Sequence, residues 1–211
     1  MNVLVACEYS GTVRDAFARR GHNALSVDLL PTTVPGPHIE GDVLQVIRQL
    51  RGIDLLIAHP PCTDLAVSGS RHFWRKQEQQ LEALDFVSKL LNAPIASICI
   101  ENPVSIISTQ LRKPDQIIQP WYFGDPEPKT TCLWLKGLLP LAPTHIVRPG
   151  LSSLHNLPPS KDRAKIRSKT FPGLAEAMAA QWGDQEYPTV ELSGGSTVTE
   201  GQTSPSAYYS R

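Results

Sequence analysis

Two residues of this chain carry chemistry that a sequence can announce: a thiol behind two prolines, and a carboxylate where an apolar run ends. In "IDLLIAHPPCTDLAVSG", residues 53 to 69, the apolar stretch stops at His59, and Pro60, Pro61 and Cys62 follow in a row. Consecutive prolines restrict the backbone on both sides, so the sulfur is held beyond a strand end instead of being packed within one. Thiolate is the reactive form of cysteine, and a thiol so placed points to covalent, nucleophilic catalysis. One strand later, "IASICIEN" gives way at Glu101 and Asn102. A carboxylate emerging there is partly desolvated, and such groups are usually partnered or functional.

The other three cysteines, Cys7, Cys99 and Cys132, sit in or beside apolar runs and read as small buried hydrophobes in a reducing compartment. There is no C-x-x-C pair, so no metal site is expected. Two acids stand near other strand ends. Asp28 either solvates a loop or meets a ligand. Asp42 either N-caps a helix beginning at Val43 or does the same.

The elements that must position these groups alternate. Val3 to Cys7 is a continuous apolar run, the mark of a strand covered on both faces of a parallel sheet. "TVRDAFARRGH" has helical spacing at Val13, Ala16 and Phe17 with a stop at Gly21. "NALSVD" is a second strand, ending at Asp28. A proline-rich loop (Pro31, Pro35, Pro37) leads through "HIEGD" to a helix over 43–50, and "IDLLIA" is a further buried strand. Residues 77–91 form a helix whose apolar stripe is Leu81, Leu84, Val87 and Leu91, widened by Leu90. This order predicts a doubly wound α/β sheet with ligand groups gathered at the carboxyl strand ends. Later, "QPWYFGDPEPKTTCLWLKG" reads as a hairpin between two aromatic, β-prone runs. Residues 137–163 read as irregular, and "TFPGLAEAMAAQW" as a closing helix. One domain over 1–183 is expected, with 184–211 as a disordered tail because the composition there turns to Ser, Thr, Gly and Glu.

Composition bounds the function. With 211 residues, 41% hydrophobic and 19% charged, the chain is an ordinary globular protein with room for one substantial core. No apolar stretch is long enough to span a membrane. The first residues carry no secretory signature, so a cytoplasmic location is expected. Twenty basic residues balance twenty acidic ones; a protein gripping a long DNA footprint is usually basic, so neutrality weakens that case without removing it. Basic side chains do cluster in "SKDRAKIRSK", at Lys161, Arg163, Lys165, Arg167 and Lys169. The cluster either tracks a phosphate backbone or is a solvated helix face.

Taken together, these residues resemble the cytosine-5 DNA methyltransferases that use S-adenosylmethionine, and within them the short branch found in phages and prophages. "HPPCTDLAVSG" is similar to that family's Pro-Cys nucleophile loop, which continues with a Ser and a Gly, and "IENPV" to its Glu-Asn-Val signature. "ACEYSGTVRDAF" stands at the place of its first glycine-rich motif, reduced here to Gly11. Asp28 and "EGDV" stand where the family has its acidic and Gly-Asp motifs. The resemblance covers roughly residues 2 to 183 and implies a Rossmann-like class I methyltransferase sheet. It implies Cys62 as nucleophile toward carbon-6 of cytosine and Glu101 as the group that contacts the ring nitrogen and exocyclic amine, with a raised carboxyl pKa, while Asn102 fixes the loop. It also implies a cofactor site of Glu8, Tyr9, Ser10, Gly11, Asp28, Asp42 and Pro60, in which Gly11 admits the methionine part, Asp28 the ribose and Asp42 the adenine. Pro61, Ser68, Arg163 and Arg167 would face a DNA substrate whose cytosine is flipped from the helix.

Two departures qualify what the resemblance implies. Only about thirty residues, Gly137 to Lys169, stand where the family carries a target recognition domain, too few for an independent one. Its Gln-x-Arg-x-Arg motif is not visible; Lys129 and Arg112 are the nearest candidates, and both read as solvated surface charges. RNA or a free cytosine nucleotide is therefore an alternative substrate, and a catalytically inactive binding module is the alternative to an enzyme.

Overall fold

The computed structural model describes residues 1–183 apart from 155, 156, 159 and 161. The expected tail, 184–211, and Lys161 lie outside the described residues.

Seven strands form one sheet in the order β3-β2-β1-β4-β5-β7-β6. These are β1 Asn2–Ala6, β2 Asn23–Asp28, β3 His38–Glu40, β4 Leu55–Ala58, β5 Ser97–Pro103, β6 Gln116–Ile118 and β7 Thr131–Lys136. β1 to β5 run parallel, and β7 is antiparallel to both β5 and β6. This is a doubly wound, Rossmann-like arrangement. Strand order reverses between β1 and β4, which opens a crevice at their carboxyl ends.

The continuous apolar runs follow from burial on two faces. Val3, Val5, Leu55 and Ile57 pack with Phe17 of α1 (Thr12–Arg19) and with Leu174, Met178 and Trp182 of α6 (Pro172–Gly183). Their neighbours Leu4, Leu56, Ile98 and Ile100 point to the other face. There they meet Val46 and Ile47 of α2 (Val43–Gln49) and Val87 and Leu90 of α3 (Gln77–Leu91). Side chains alternate across a strand, so a strand between two helical layers must be apolar at every position.

The expected elements appear with three differences. Leu81 is 69% exposed, while Leu90 is fully buried; the buried stripe of α3 is Leu84, Val87 and Leu90. The expected hairpin is displaced. Its first strand is Gln116–Ile118, and the aromatic run Trp121-Tyr122-Phe123 forms and follows a 3₁₀ turn over Pro120–Tyr122. Proline lacks the N–H that a strand needs and fixes φ, so β6 ends ahead of it. Finally, two further short helices appear, α4 (Ile107–Gln110) and α5 (Arg163–Ser168), the second formed by the basic cluster.

One buried charge braces the first turn of the sheet. Arg14 is fully buried. Its guanidinium donates to Asp15 Oδ1 at 2.8 Å, Ser26 Oγ at 3.3 Å and the carbonyls of Pro35 at 2.9 Å and Pro37 at 3.4 Å. The proline-rich loop is thereby tied to α1.

Candidate active site at the carboxyl ends of the strands

The nucleophile loop and the carboxylate are joined by strand register. Ala58 of β4 pairs with Ile100 of β5, so the next residues along, His59 and Glu101, stand side by side. His59 Nδ1 donates to Glu101 Oε2 at 2.9 Å, since an ionised carboxylate only accepts. Thr170, at the start of the closing helix, brings its hydroxyl to 3.5 Å from the same nitrogen. One position further, Asn102 Nδ2 donates to the carbonyl of Pro60 at 2.8 Å. A side-chain amide thus continues the strand pairing where two prolines supply no N–H.

Beyond the prolines, Cys62 is exposed. Its carbonyl accepts from Leu65 N at 3.1 Å and Ala66 N at 2.8 Å, closing a turn anchored by the fully buried Leu65. Val67 N donates to Val104 O and Ile106 N to Leu65 O. The loops after β4 and β5 are therefore stitched together, and the thiol and carboxylate are held as one unit. Although Cys62 is open to solvent, partial desolvation by the surrounding chain pushes its thiol up and the Glu101 charge adds to this, while Lys129 and Arg167 pull against it.

Glu101 is 7% exposed. Burial alone would raise its carboxyl, but the His59 hydrogen bond and the Lys129 charge outweigh it and hold the group below the ordinary carboxylate range. The raised pKa expected from the resemblance is thus absent in the free protein. The reason is His59, which the sequence reading passed over; its place directly before the Pro-Pro-Cys turn, on a strand neighbouring that of Glu101, was the available signal.

Lys129 also departs from expectation. It is half-buried, its Nζ donates to Arg167 O at 3.1 Å, and it lies 5.6 Å from the Phe171 ring centre. Its charge acts on both Cys62 and Glu101. Arg112 is structural instead: it pairs with Asp115 at 2.7 Å and donates to Leu135 O at 2.8 Å.

The basic segment is fastened beside the site. Arg163 is half-buried and Arg167 exposed; Arg167 donates to Leu154 O at 3.2 Å, and Tyr9 Oη donates to Lys165 O at 2.7 Å. Glu127, 7% exposed, secures the preceding stretch. It accepts from Ser152 Oγ at 2.6 Å, Ser153 N at 3.0 Å, Ser153 Oγ at 2.7 Å and Leu154 N at 3.2 Å. Burial opposes its charge, yet these bonds hold the carboxyl below its usual range. A group depressed in the folded state stabilises above its unfolded pKa, about 4.3, and ceases to do so as pH falls through the folded value. Glu127→Gln is therefore expected to cost about 1–3 kcal/mol at pH 7. Urea melts at pH 7 and near pH 3 should show that gap shrinking in acid; a gap equal at both would deny the charge its role.

The expected cofactor residues divide. Glu8, 4% exposed, turns inward: its carboxylate accepts from Val13 N at 2.6 Å and Arg14 N at 3.2 Å, capping α1. Ser10 hydrogen-bonds Thr12 at 3.1 Å and Glu8 at 3.4 Å. Both serve the helix start, where α1 leaves backbone N–H groups that need acceptors. Gly11 has φ +71°, and a Cβ there would meet Arg14 Nη2 at 2.5 Å and Val34 Cγ2 at 2.6 Å. The room its missing side chain leaves is taken up by Arg14 and Val34. Tyr9 turns to α5, and Pro60 is buried.

Asp28 and Asp42 remain together at the crest of the sheet. Asp28 Oδ1 accepts from Leu30 N at 2.9 Å, and Asp42 N-caps α2 through Leu44 N at 2.8 Å. Between them Cys7 has φ 58°; burial first, then these two acids, push its thiol up to about 12. Pro61 and Ser68 are exposed on the nucleophile loop. Among the described residues there is no group of three or more metal-ligating side chains, and no helix long and apolar enough to cross a membrane. A surface depression of about 470 Å³ between α2 and the amino ends of β4 and β5, lined by Ile47, Arg48, Ile53 and Ile95 among others, carries neither the thiol nor the carboxylate.

No family model and no curated protein matches the chain. Among solved structures it is similar to an E. coli protein, provisionally named a DNA modification methyltransferase encoded within a prophage. Identity is 16% and the TM-score 0.45, over 75% of this chain and 55% of that one. The chain thus spans just over half of that structure's length.

Proposed function

We propose that this chain transfers a methyl group from S-adenosylmethionine to carbon-5 of cytosine in DNA, through a temporary bond between Cys62 and carbon-6. The observation that carries the reading is an exposed cysteine on a braced turn, within electrostatic reach of a buried carboxylate and a lysine. Carbon-5 is a poor nucleophile until carbon-6 is attacked. The Cys62 sulfur forms the new bond with its electron pair, and the ring's 5,6 electrons move to carbon-5. S-adenosylmethionine, held by Asp28 and Asp42, would supply the electrophilic methyl group for that carbon, its C–S bond breaking to leave a neutral thioether. Loss of the carbon-5 proton to water would then expel the Cys62 thiolate and restore the ring.

Glu101 would face the ring nitrogen and the exocyclic amine, with Oε2 held by His59 and Oε1 left for the base. Asp28 and Asp42, each with one oxygen spent on a local amide, have a second oxygen to offer ribose and adenine. A polymer suits the site better than a free nucleotide, because Lys129 and Arg167 bring positive charge beside the thiol and α5 extends it. The closed packing about Gly11 favours, as a second reading, an inactive module that has lost the cofactor.

5-Fluorocytosine decides between these readings, because its carbon-5 substituent cannot leave as a proton does. With S-adenosylmethionine present, a fluorinated DNA duplex is expected to give a covalent protein adduct by intact mass. Adduct on RNA or nucleotide alone would move the substrate. Absence of any adduct, together with no S-adenosylmethionine binding by calorimetry, would leave the inactive module.

A further inference from the structure

The loop that follows the nucleophile carries an aromatic ring that no core accounts for. Trp74 is 69% exposed and belongs to neither hydrophobic cluster. It stands in a 3₁₀ segment, Val67–Arg75, with the Arg75 guanidinium 4.4 Å from the centre of its ring. The sequence from Leu65 to Gln77 contains Arg71, Arg75 and Lys76 but no carboxylate. The loop is closed at its base, where Lys76 Nζ pairs with Asp64 Oδ1 at 2.8 Å. Asp64 lies two residues after Cys62 and Lys76 two residues after Trp74, so this ion pair ties the chain beside the indole to the chain beside the nucleophile. Asp64 neutralises Lys76, leaving Arg71 and Arg75 as the loop's outward charge.

An exposed, cation-backed indole on the loop that follows a nucleophile matches the needs of one event. A cytosine inside a duplex cannot present carbon-6 to a thiol until it leaves the stack, which loses stacking on both neighbours. A flat ring entering the gap restores much of that stacking, and every base offers it a π-face. The arginines suit the phosphates on either side. We infer that Trp74 is the wedge that takes the cytosine's place in the duplex while the base is turned toward Cys62. This rests on the nucleic-acid reading above and gives it a mechanism for opening the helix.

The test compares covalent capture on two pools of duplexes carrying 5-fluorocytosine in varied contexts. In one pool the target is paired with guanine; in the other it faces an abasic site, where leaving the stack is already easy. Trp74→Ala is expected to slow capture on paired duplexes about tenfold or more. On abasic duplexes it should come within about twofold of wild type, and Trp74→Phe should retain most of the rate on both. Equal slowing on both pools would overturn the inference by making Trp74 a general affinity contact. No slowing on paired duplexes would overturn it as well, and would assign the ring to a partner other than nucleic acid. If wild-type protein captured neither pool, the functional reading itself would fall, which is a different result from either of these.

Discussion

Cys62→Ser is expected to lower methyl transfer by about 10³-fold or more and to remove the 5-fluorocytosine adduct altogether. A hydroxyl is a far weaker nucleophile than a thiolate, and no described base is hydrogen-bonded to position 62 to activate one. The substitution is conservative in size and lies on an exposed turn, so the melting temperature should scarcely move. That separation between lost chemistry and kept fold is what the assignment requires. Activity near wild type in Cys62→Ser would sink it. An ordinary thiol is already protonated at neutral pH, and here desolvation and the Glu101 charge push it higher still, against the pull of Lys129 and Arg167. Lys129→Ala, which removes one of the two opposing charges, should slow capture further at any given pH.

The second large effect concerns Glu101. Glu101→Gln should slow transfer by about 10²-fold or more while leaving cofactor affinity near wild type. The pH profile gives the sharper reading. The resting protein holds Cys62 as a thiol and Glu101 as a carboxylate, whereas attack calls for the opposite: a thiolate beside a carboxyl able to donate to the base. Moving one proton from sulfur to carboxylate leaves the total count unchanged. The wild-type kcat/KM should therefore be nearly flat across neutral pH. A glutamine at position 101 no longer takes up that proton, so the variant's kcat/KM should climb about tenfold per pH unit until the thiol titrates. Parallel profiles for the two proteins would show that Glu101 does not exchange a proton during attack.

Much of the frame was legible because it depends on local pattern. Val3 to Cys7, "NALSVD" and "IDLLIA" are strands sandwiched between helices, and such strands advertise themselves by unbroken apolar character. Cys62 and Glu101 were legible because a thiol or a carboxylate placed directly after such a run has few structural uses. What was not legible depends on register and distant contact. His59 and Glu101 are 42 positions apart and become partners only through the pairing of Ala58 with Ile100. Lys129 meets Arg167 across 38 positions. Nothing near Glu127 in the chain indicates that its carboxylate will gather four donors from residues 152–154. For Glu8, Ser10 and Gly11 the resemblance implies ligand contacts, whereas their contacts with α1 and the buried Arg14 are invisible in the sequence, because a buried arginine leaves no periodic trace. The hairpin's place was hidden because Trp121, Tyr122 and Phe123 carry strong β-propensity, while the single Pro120 sends the chain into a 3₁₀ turn after β6.

The four sulfurs of this protein are unequal in a way that bears on its survival in a cell. Cys99 and Cys132 are sealed between the layers, and Cys7 is kept from ionising by burial first and then by the charges of Asp28 and Asp42. Oxidants, alkylating agents and stray heavy metals therefore find a single open door, and it is the same atom that would form the bond to cytosine. Damage to this molecule and loss of its function would then be one event, with Cys62 as both tool and weak point.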